Sequence, residues 1–159
     1  MLPAKLCKKG IRSKFYIFVT QKRKMAKDYI WDPVRKKKVL LTPEEGVRQW
    51  LIKELNSKFN YPVHMLGCEY TLKLNNIPYR GDLVVFGKKL QPLLLAECKA
   101  PEVKITTKTF DQILRYNLSL KVKYLLVTNG KETYIAKVNP CDGTHTFITN
   151  IPYYNELSE

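Results

Sequence analysis

Two charged residues close an otherwise apolar stretch, Pro92-Leu-Leu-Leu-Ala-Glu97-Cys98-Lys99. Residues two apart on a strand project from the same face, so Glu97 and Lys99 stand together. Burying charge without partners is costly, and the pair needs a reason. A strand that has simply emerged into solvent, with a surface Glu and Lys at its end, is one such reason. Asp82 weighs against it. This residue opens the preceding apolar stretch, Leu83 to Phe86, fifteen residues before Glu97. A hairpin between the two stretches would bring both carboxylates to one end of a sheet. Carboxylates at close range repel, and they either share a proton or hold a divalent cation. Mg²⁺ suits such a pair, with Mn²⁺ as a substitute, because it takes one or two carboxylates and keeps water and phosphate oxygens as its other ligands. Lys99 would then lie beside the ion, where an ammonium orients an attacking water and offsets charge developing on a phosphate.

These residues can meet only if the chain supplies a sheet to carry them. Thr42-Pro43-Glu44-Glu45 has the form of a helix start, with Thr42 as cap, Pro43 at the first helical position and Glu45 placed to complete a capping box. Val47, Trp50, Leu51 and Leu55 follow at helical spacing, and Asn60 and Pro62 predict an end near Lys58. Three strands are expected next, Val63 to Leu74, Arg80 to Phe86 and Pro92 to Lys99. Asn75-Asn76 and Gly87-Lys88-Lys89 serve as their turns. The consecutive apolar residues of the second and third strands predict burial on both faces and a central place in the sheet. A second helix is expected over Lys108 to Leu120, capped by Thr106 or Thr107, with Phe110, Ile113, Leu114 and Leu118 on one face. Strands at Lys123 to Val127 and Glu132 to Val138, joined by Thr128-Asn129-Gly130-Lys131, complete an α/β sandwich with a mixed sheet.

The chain has 159 residues, enough for one domain with a real core, and its 45% hydrophobic content argues against wholesale disorder. Its longest apolar runs, Leu83 to Phe86, Leu93 to Ala96 and Tyr124 to Val127, fall far short of the roughly 20 residues that span a bilayer. The net charge is +14, and it is unevenly spread. Residues 1–40 hold 13 Lys and Arg against two acids (+11), whereas residues 41–159 hold 15 against 12 (+3). Residues 1–28 therefore form a basic arm suited to phosphate backbones, and the organised domain is expected over 29–159. A solvated, disordered tail explains the arm as well, and Met25 is an alternative start. Cys7, Cys68, Cys98 and Cys141 form no CxxC pair, and only His64 and His145 could join them, so zinc spacing is lacking. Free thiols in a reducing cytoplasm are the simplest expectation. Neither histidine lies in a local nucleophile motif, which weakens Ser-His-Asp or Cys-His catalysis.

Asp82 followed by Glu97-x-Lys99 resembles the catalytic signature of the PD-(D/E)XK nuclease superfamily, and the expected αβββαβ order matches its restriction-endonuclease-like core. Thr42-Pro-Glu-Glu45-Gly-Val-Arg-Gln49, Arg80-Gly81-Asp82-Leu-Val-Val, Leu-Leu-Leu-Ala-Glu97-Cys-Lys99-Ala-Pro101, Phe110-Asp-Gln112-Ile-Leu-Arg-Tyr116-Asn117 and Val127-Thr-Asn-Gly130 are together similar to the N-terminal nuclease domain of type I restriction enzyme R subunits. The resemblance runs from about Tyr29 to Val138. It implies an Mg²⁺-dependent DNA endonuclease in which Asp82 and Glu97 bind metal and Lys99 is the catalytic lysine. Gln112 and Tyr116 match the QxxxY element that lies beside the active site and DNA in RecB-like and type I restriction nucleases. Their i, i+4 spacing puts them on the border of the apolar stripe. Some nucleases of the superfamily add a first-helix glutamate to the metal. Glu45 is the candidate here, and its capping role is an equally good explanation. Arg80 is a candidate phosphate contact, and Gly81 replaces the proline of the superfamily name. A helicase motor is absent from the sequence, so motor or specificity subunits are expected partners. Two other readings stay open: a nucleic-acid-binding module on a nuclease fold without activity of its own, and a basic structural protein of a nucleoprotein complex.

Overall fold

The computed structural model describes residues 28–74 and 77–157. Helix α1 (Pro43–Phe59) begins where its residue types require. Thr42 Oγ1 accepts the Glu45 N–H at 3.0 Å, Pro43 occupies the first turn, and Asn60 ends the helix in the left-handed conformation at φ 59°. The Glu45 carboxylate does not complete a capping box; it faces Arg35 and Arg48 instead. Helix α2 (Thr107–Leu120) follows Thr106, whose N–H donates to Thr109 Oγ1 at 3.4 Å, and ends at Lys121, also left-handed. The side chain of Leu118 and the turn residues Asn75 and Asn76 lie outside the described residues, as do residues 1–27 of the basic arm.

Six strands form one mixed sheet in sequential order: β3 (Leu66–Leu74), β4 (Ile77–Phe86), β5 (Pro92–Cys98), β6 (Tyr124–Thr128), β7 (Thr133–Val138) and β8 (His145–Ile148). All neighbours are antiparallel except β5 and β6, which pair in parallel and therefore need the crossover that α2 provides. The αβββαβ order is thus α1, β3, β4, β5, α2, β6. Alternation along β4 and β5 sends Leu83, Val85, Leu94 and Ala96 into the core under α1, with Val47, Leu51 and Leu55. Val84 and Leu95 enter the core under α2, with Phe110 and Ile113. Both strands are interior and covered on both faces, as their apolar runs imply.

Several features depart from the sequence reading, among them an unexpected edge strand, β8, and a β4 that begins at Ile77 rather than Arg80. Val63–Met65 is a single 3₁₀ turn rather than the start of β3, because Pro62 begins a turn closed by the Met65 N–H on the Pro62 carbonyl at 2.9 Å. A short helix, α3 (Tyr154–Leu157), docks Leu157 and Tyr154 into the α1-side core, and the Tyr154 hydroxyl donates to the Phe86 carbonyl. An antiparallel hairpin of β1 (Tyr29–Asp32) and β2 (Lys37–Leu40) precedes α1 as a separate two-stranded sheet. Asp32 Oδ1 accepts the Val34 and Arg35 N–H groups at 2.7 and 2.9 Å, which shapes the hairpin turn. Residues Arg35 to Lys38, although part of the basic N-terminal segment, therefore belong to folded structure.

Candidate active site

Pairing of Leu83 with Ala96 in the β4–β5 hairpin carries, one residue further, to Asp82 across from Glu97. Asp82 is held from two sides. Its Oδ2 accepts the Cys98 N–H at 2.8 Å and its Oδ1 accepts Arg48 Nη2 at 2.8 Å. Lys99 Nζ donates to Glu97 Oε1 at 2.7 Å. The three side chains are 15%, 18% and 27% exposed for Asp82, Glu97 and Lys99, so they are sheltered yet reachable from solvent. Burial alone would lower the Lys99 ammonium. The hydrogen bond and charge of Glu97, with the charges of Asp82 and Glu44, outweigh it and raise the pKa, so Lys99 stays cationic.

Behind Asp82 lies an ion network. Arg48, on α1, is nearly fully buried and reaches Glu45 Oε2 at 2.6 Å and Glu69 Oε1 at 3.7 Å in addition to Asp82. Arg35, at the hairpin turn, pairs with Asp32, with Glu45 Oε1 and with Glu69 Oε2 at 3.1 Å. Gln49 also donates to Glu45, at 2.9 Å. Glu69 sits in mid-strand with φ 53°, a conformation that costs a non-glycine residue about 1–2 kcal/mol. That backbone accompanies a carboxylate shared among Arg35, Arg48 and Arg80.

Each residue singled out in the sequence has a definite place here. Asp82, midway along β4, comes together with Glu97 and Lys99 at the C-terminal end of β5. Glu45 lies one step behind them, clamped between Arg35 and Arg48. Arg80, largely exposed, pairs with Glu69. Gln112 Nε2 lies 3.5 Å from the Tyr116 hydroxyl on α2, and Tyr116 packs against the α2-side core. Glu97 follows Leu95 by two residues and so projects toward that same side of the sheet. Sequence reasoning missed Arg48, Arg35, Glu69 and Glu44. The Glu44 carboxyl is raised by burial and by the charge of Asp82, against the lowering effect of Lys99 and Arg48. A signal for Arg48 existed, since it falls three residues before Leu51 and seven before Leu55, on the apolar stripe.

Among the described residues, no three Asp, Glu, His or Cys side chains are gathered closely enough to hold a metal by themselves. The charge of the cluster nevertheless fits a divalent ion. Six carboxylates (Asp32, Glu44, Glu45, Glu69, Asp82, Glu97) are linked by ion pairs or mutual charge to four cations (Arg35, Arg48, Arg80, Lys99), leaving a deficit of two positive charges. Asp82 and Glu97 meet the need of Mg²⁺ for one or two carboxylates, and an ionised carboxylate can accept a cation beside an existing hydrogen bond. Thiolate chemistry is disfavoured at the two cysteines near the site: burial pushes Cys98 well above its ordinary pKa and Cys68 up to about 12.

The family model for the type I restriction enzyme R protein N terminus matches residues 43–152. The chain belongs to that family. The R-protein match spans α1 to the loop before α3 and includes every residue of the Asp82, Glu97 and Lys99 site, but not the β1–β2 hairpin. Among solved structures, the fold is similar to the fragment structure of an HsdR subunit of a type I restriction enzyme from Vibrio vulnificus YJ016, at a TM-score of 0.54 and 16% identity. The likeness covers 74% of this chain and 24% of that one, so this chain spans about a quarter of its relative's length. A comparison with curated proteins gave no match.

Proposed function

We propose that this R-protein N-terminal domain hydrolyses DNA phosphodiester bonds with Mg²⁺, held by Asp82 and Glu97, and with Mn²⁺ as a substitute. The observation that carries the reading is the juxtaposition of Asp82 with the Glu97–Lys99 pair inside a cluster two positive charges short of neutrality. A bound Mg²⁺ supplies Lewis-acid polarisation of a phosphate oxygen and a water of lowered pKa. The protein does the positioning. Arg48 and the Cys98 N–H fix the Asp82 carboxylate from two directions, so little reorganisation is needed when the ion arrives. Lys99, kept cationic by its acidic neighbours, offsets the negative charge that develops on the phosphate and orients the water. Gln112, Tyr116 and Arg80 are proposed to line the path of the DNA backbone, and the basic segment before the domain would add affinity without choosing sequence. Motor and specificity subunits acting in the cytoplasm would be the partners of such a domain.

A second reading, DNA binding without cleavage by this chain alone, draws on one observation: Asp82 and Glu97 already pair with Arg48 and Lys99. Incubation of single-stranded, duplex and nicked DNA with Mg²⁺, Mn²⁺ or EDTA separates the two. Metal-dependent cleavage by the wild type that is absent in EDTA and in Asp82→Ala supports hydrolysis. Cleavage in no metal and on no substrate overturns it.

A further inference from the structure

We propose that the outer face of the β1–β2 hairpin is a stacking platform for unpaired bases of single-stranded DNA. The choice of DNA rests on the function proposed above; the platform rests on the hairpin itself. Its register pairs Tyr29 with Leu40 and Trp31 with Lys38, so these four side chains share one face. That face is open: Tyr29 is 59%, Trp31 58% and Leu40 43% exposed. Isolated exposed apolar residues need no explanation, but three on one face of a two-stranded ribbon form a patch.

The opposite face explains why the patch is held firmly. Asp32 is wholly buried, Val34 packs against the α1-side core, and the Leu41 N–H closes the hairpin on the Asp28 carbonyl at 2.8 Å. Three ion pairs in series, Arg35–Glu45, Glu45–Arg48 and Arg48–Asp82, tie the hairpin turn to the candidate active site. A strand engaged at Asp82 would therefore have the platform at a fixed position relative to it.

Charge selects the occupant. Lys36, Lys37 and Lys38 are all exposed, whereas the Arg35 charge is spent on buried acids. An apolar protein surface would have to desolvate Lys38 beside Trp31, and a cationic partner would be repelled. A polyanion with π faces meets both demands: phosphates lie against the lysines while bases stack on Trp31 and Tyr29. A duplex hides its base faces except at its ends, so the platform favours single strands.

Trp31 emission tests this directly, since the second tryptophan, Trp50, is buried. The full chain in EDTA is titrated with a single strand of about 12 nucleotides, and with the same strand annealed, while anisotropy of a labelled strand reports occupancy. The expected result is quenching by the single strand that is absent in Trp31→Phe, and a loss of single-strand affinity of about tenfold in Trp31→Ala with duplex affinity changed less than about twofold. Matching thermal melts of the exposed-site variants establish that they fold. Bound single strand without a change in Trp31 emission overturns the platform, as does an equal loss on both DNA forms. Trp31 already shielded from acrylamide in the free protein also overturns it, because the arm or a second copy then covers the face. Quenching without Mg²⁺-dependent cleavage would sink only the nuclease reading, and cleavage without quenching only the platform.

Discussion

Arg48 donates to Glu45 through one terminal nitrogen and to Asp82 through the other. Removing it would leave two sheltered carboxylates without their shared cation, and truncations of this kind cost roughly 3–5 kcal/mol. Arg48→Ala should lower the denaturant midpoint accordingly, whereas Arg48→Lys should recover part of the stability, because it restores the charge without the guanidinium fork. A midpoint unchanged in Arg48→Ala would show that the network does not support the fold. Asp32 gives a test in pH. Burial alone would raise its carboxyl, but hydrogen bonds from Arg35 and the Val34 N–H, with the Arg35 charge, outweigh it and hold it below the ordinary 3.8. A folded value below the unfolded one means that its stabilisation is complete above 3.8 and fades as pH falls through the folded value. The gap in unfolding free energy between wild type and Asp32→Asn should therefore be level from about pH 7 to 5 and narrow below 3.8. Asp82, Glu97 and Lys99 stood out in the sequence because charge bordering an apolar run is conspicuous. Glu44, Glu69 and Arg35 were not, because their significance comes from partners distant in sequence.

Strong periodicity made whole elements legible. α1, α2 and the strands β4 to β7 carry apolar patterns that a helix or a doubly covered strand requires, and they stand within a residue or two of expectation except where β4 begins earlier. β1, β2 and β8 carried no such pattern. The inner face of the hairpin is anchored by the charged pair Asp32 and Arg35 together with Val34, a set with no apolar periodicity, and β8 is a short edge strand with half its residues exposed. Turn chemistry yields a prediction of its own. The β4–β5 connection places Leu90 at φ 59° with its side chain 72% exposed, so leucine contributes little packing there while bearing left-handed strain. Leu90→Gly should raise stability by about 1 kcal/mol, read as a higher melting temperature. A lower one would mean that the exposed side chain has a packing role.

At the scale of the molecule, the +14 charge divides between residues 1–28, at +8, and the domain over 29–159, at +6. Residues 1–24 hold eight Lys and Arg and no acid. Deleting them should weaken DNA binding and flatten the dependence of log K on log salt by about 0.9 for each phosphate that the segment had neutralised; an unchanged slope would remove the segment from the DNA interface. Among the described residues, no helix is long and apolar enough to cross a membrane. Bulk charge would draw DNA to the protein, but the proposed chemistry rests on Asp82, Glu97 and Lys99, which the fold brings together while Arg48 and the Cys98 N–H hold Asp82. The most direct measurement is the single-turnover rate of Mg²⁺-dependent DNA cleavage in Lys99→Ala against wild type, with both shown to be folded and bound to DNA. A fall of about 100-fold or more is expected from the loss of the ammonium beside the reacting phosphate. Equal rates would contradict its role in the reaction.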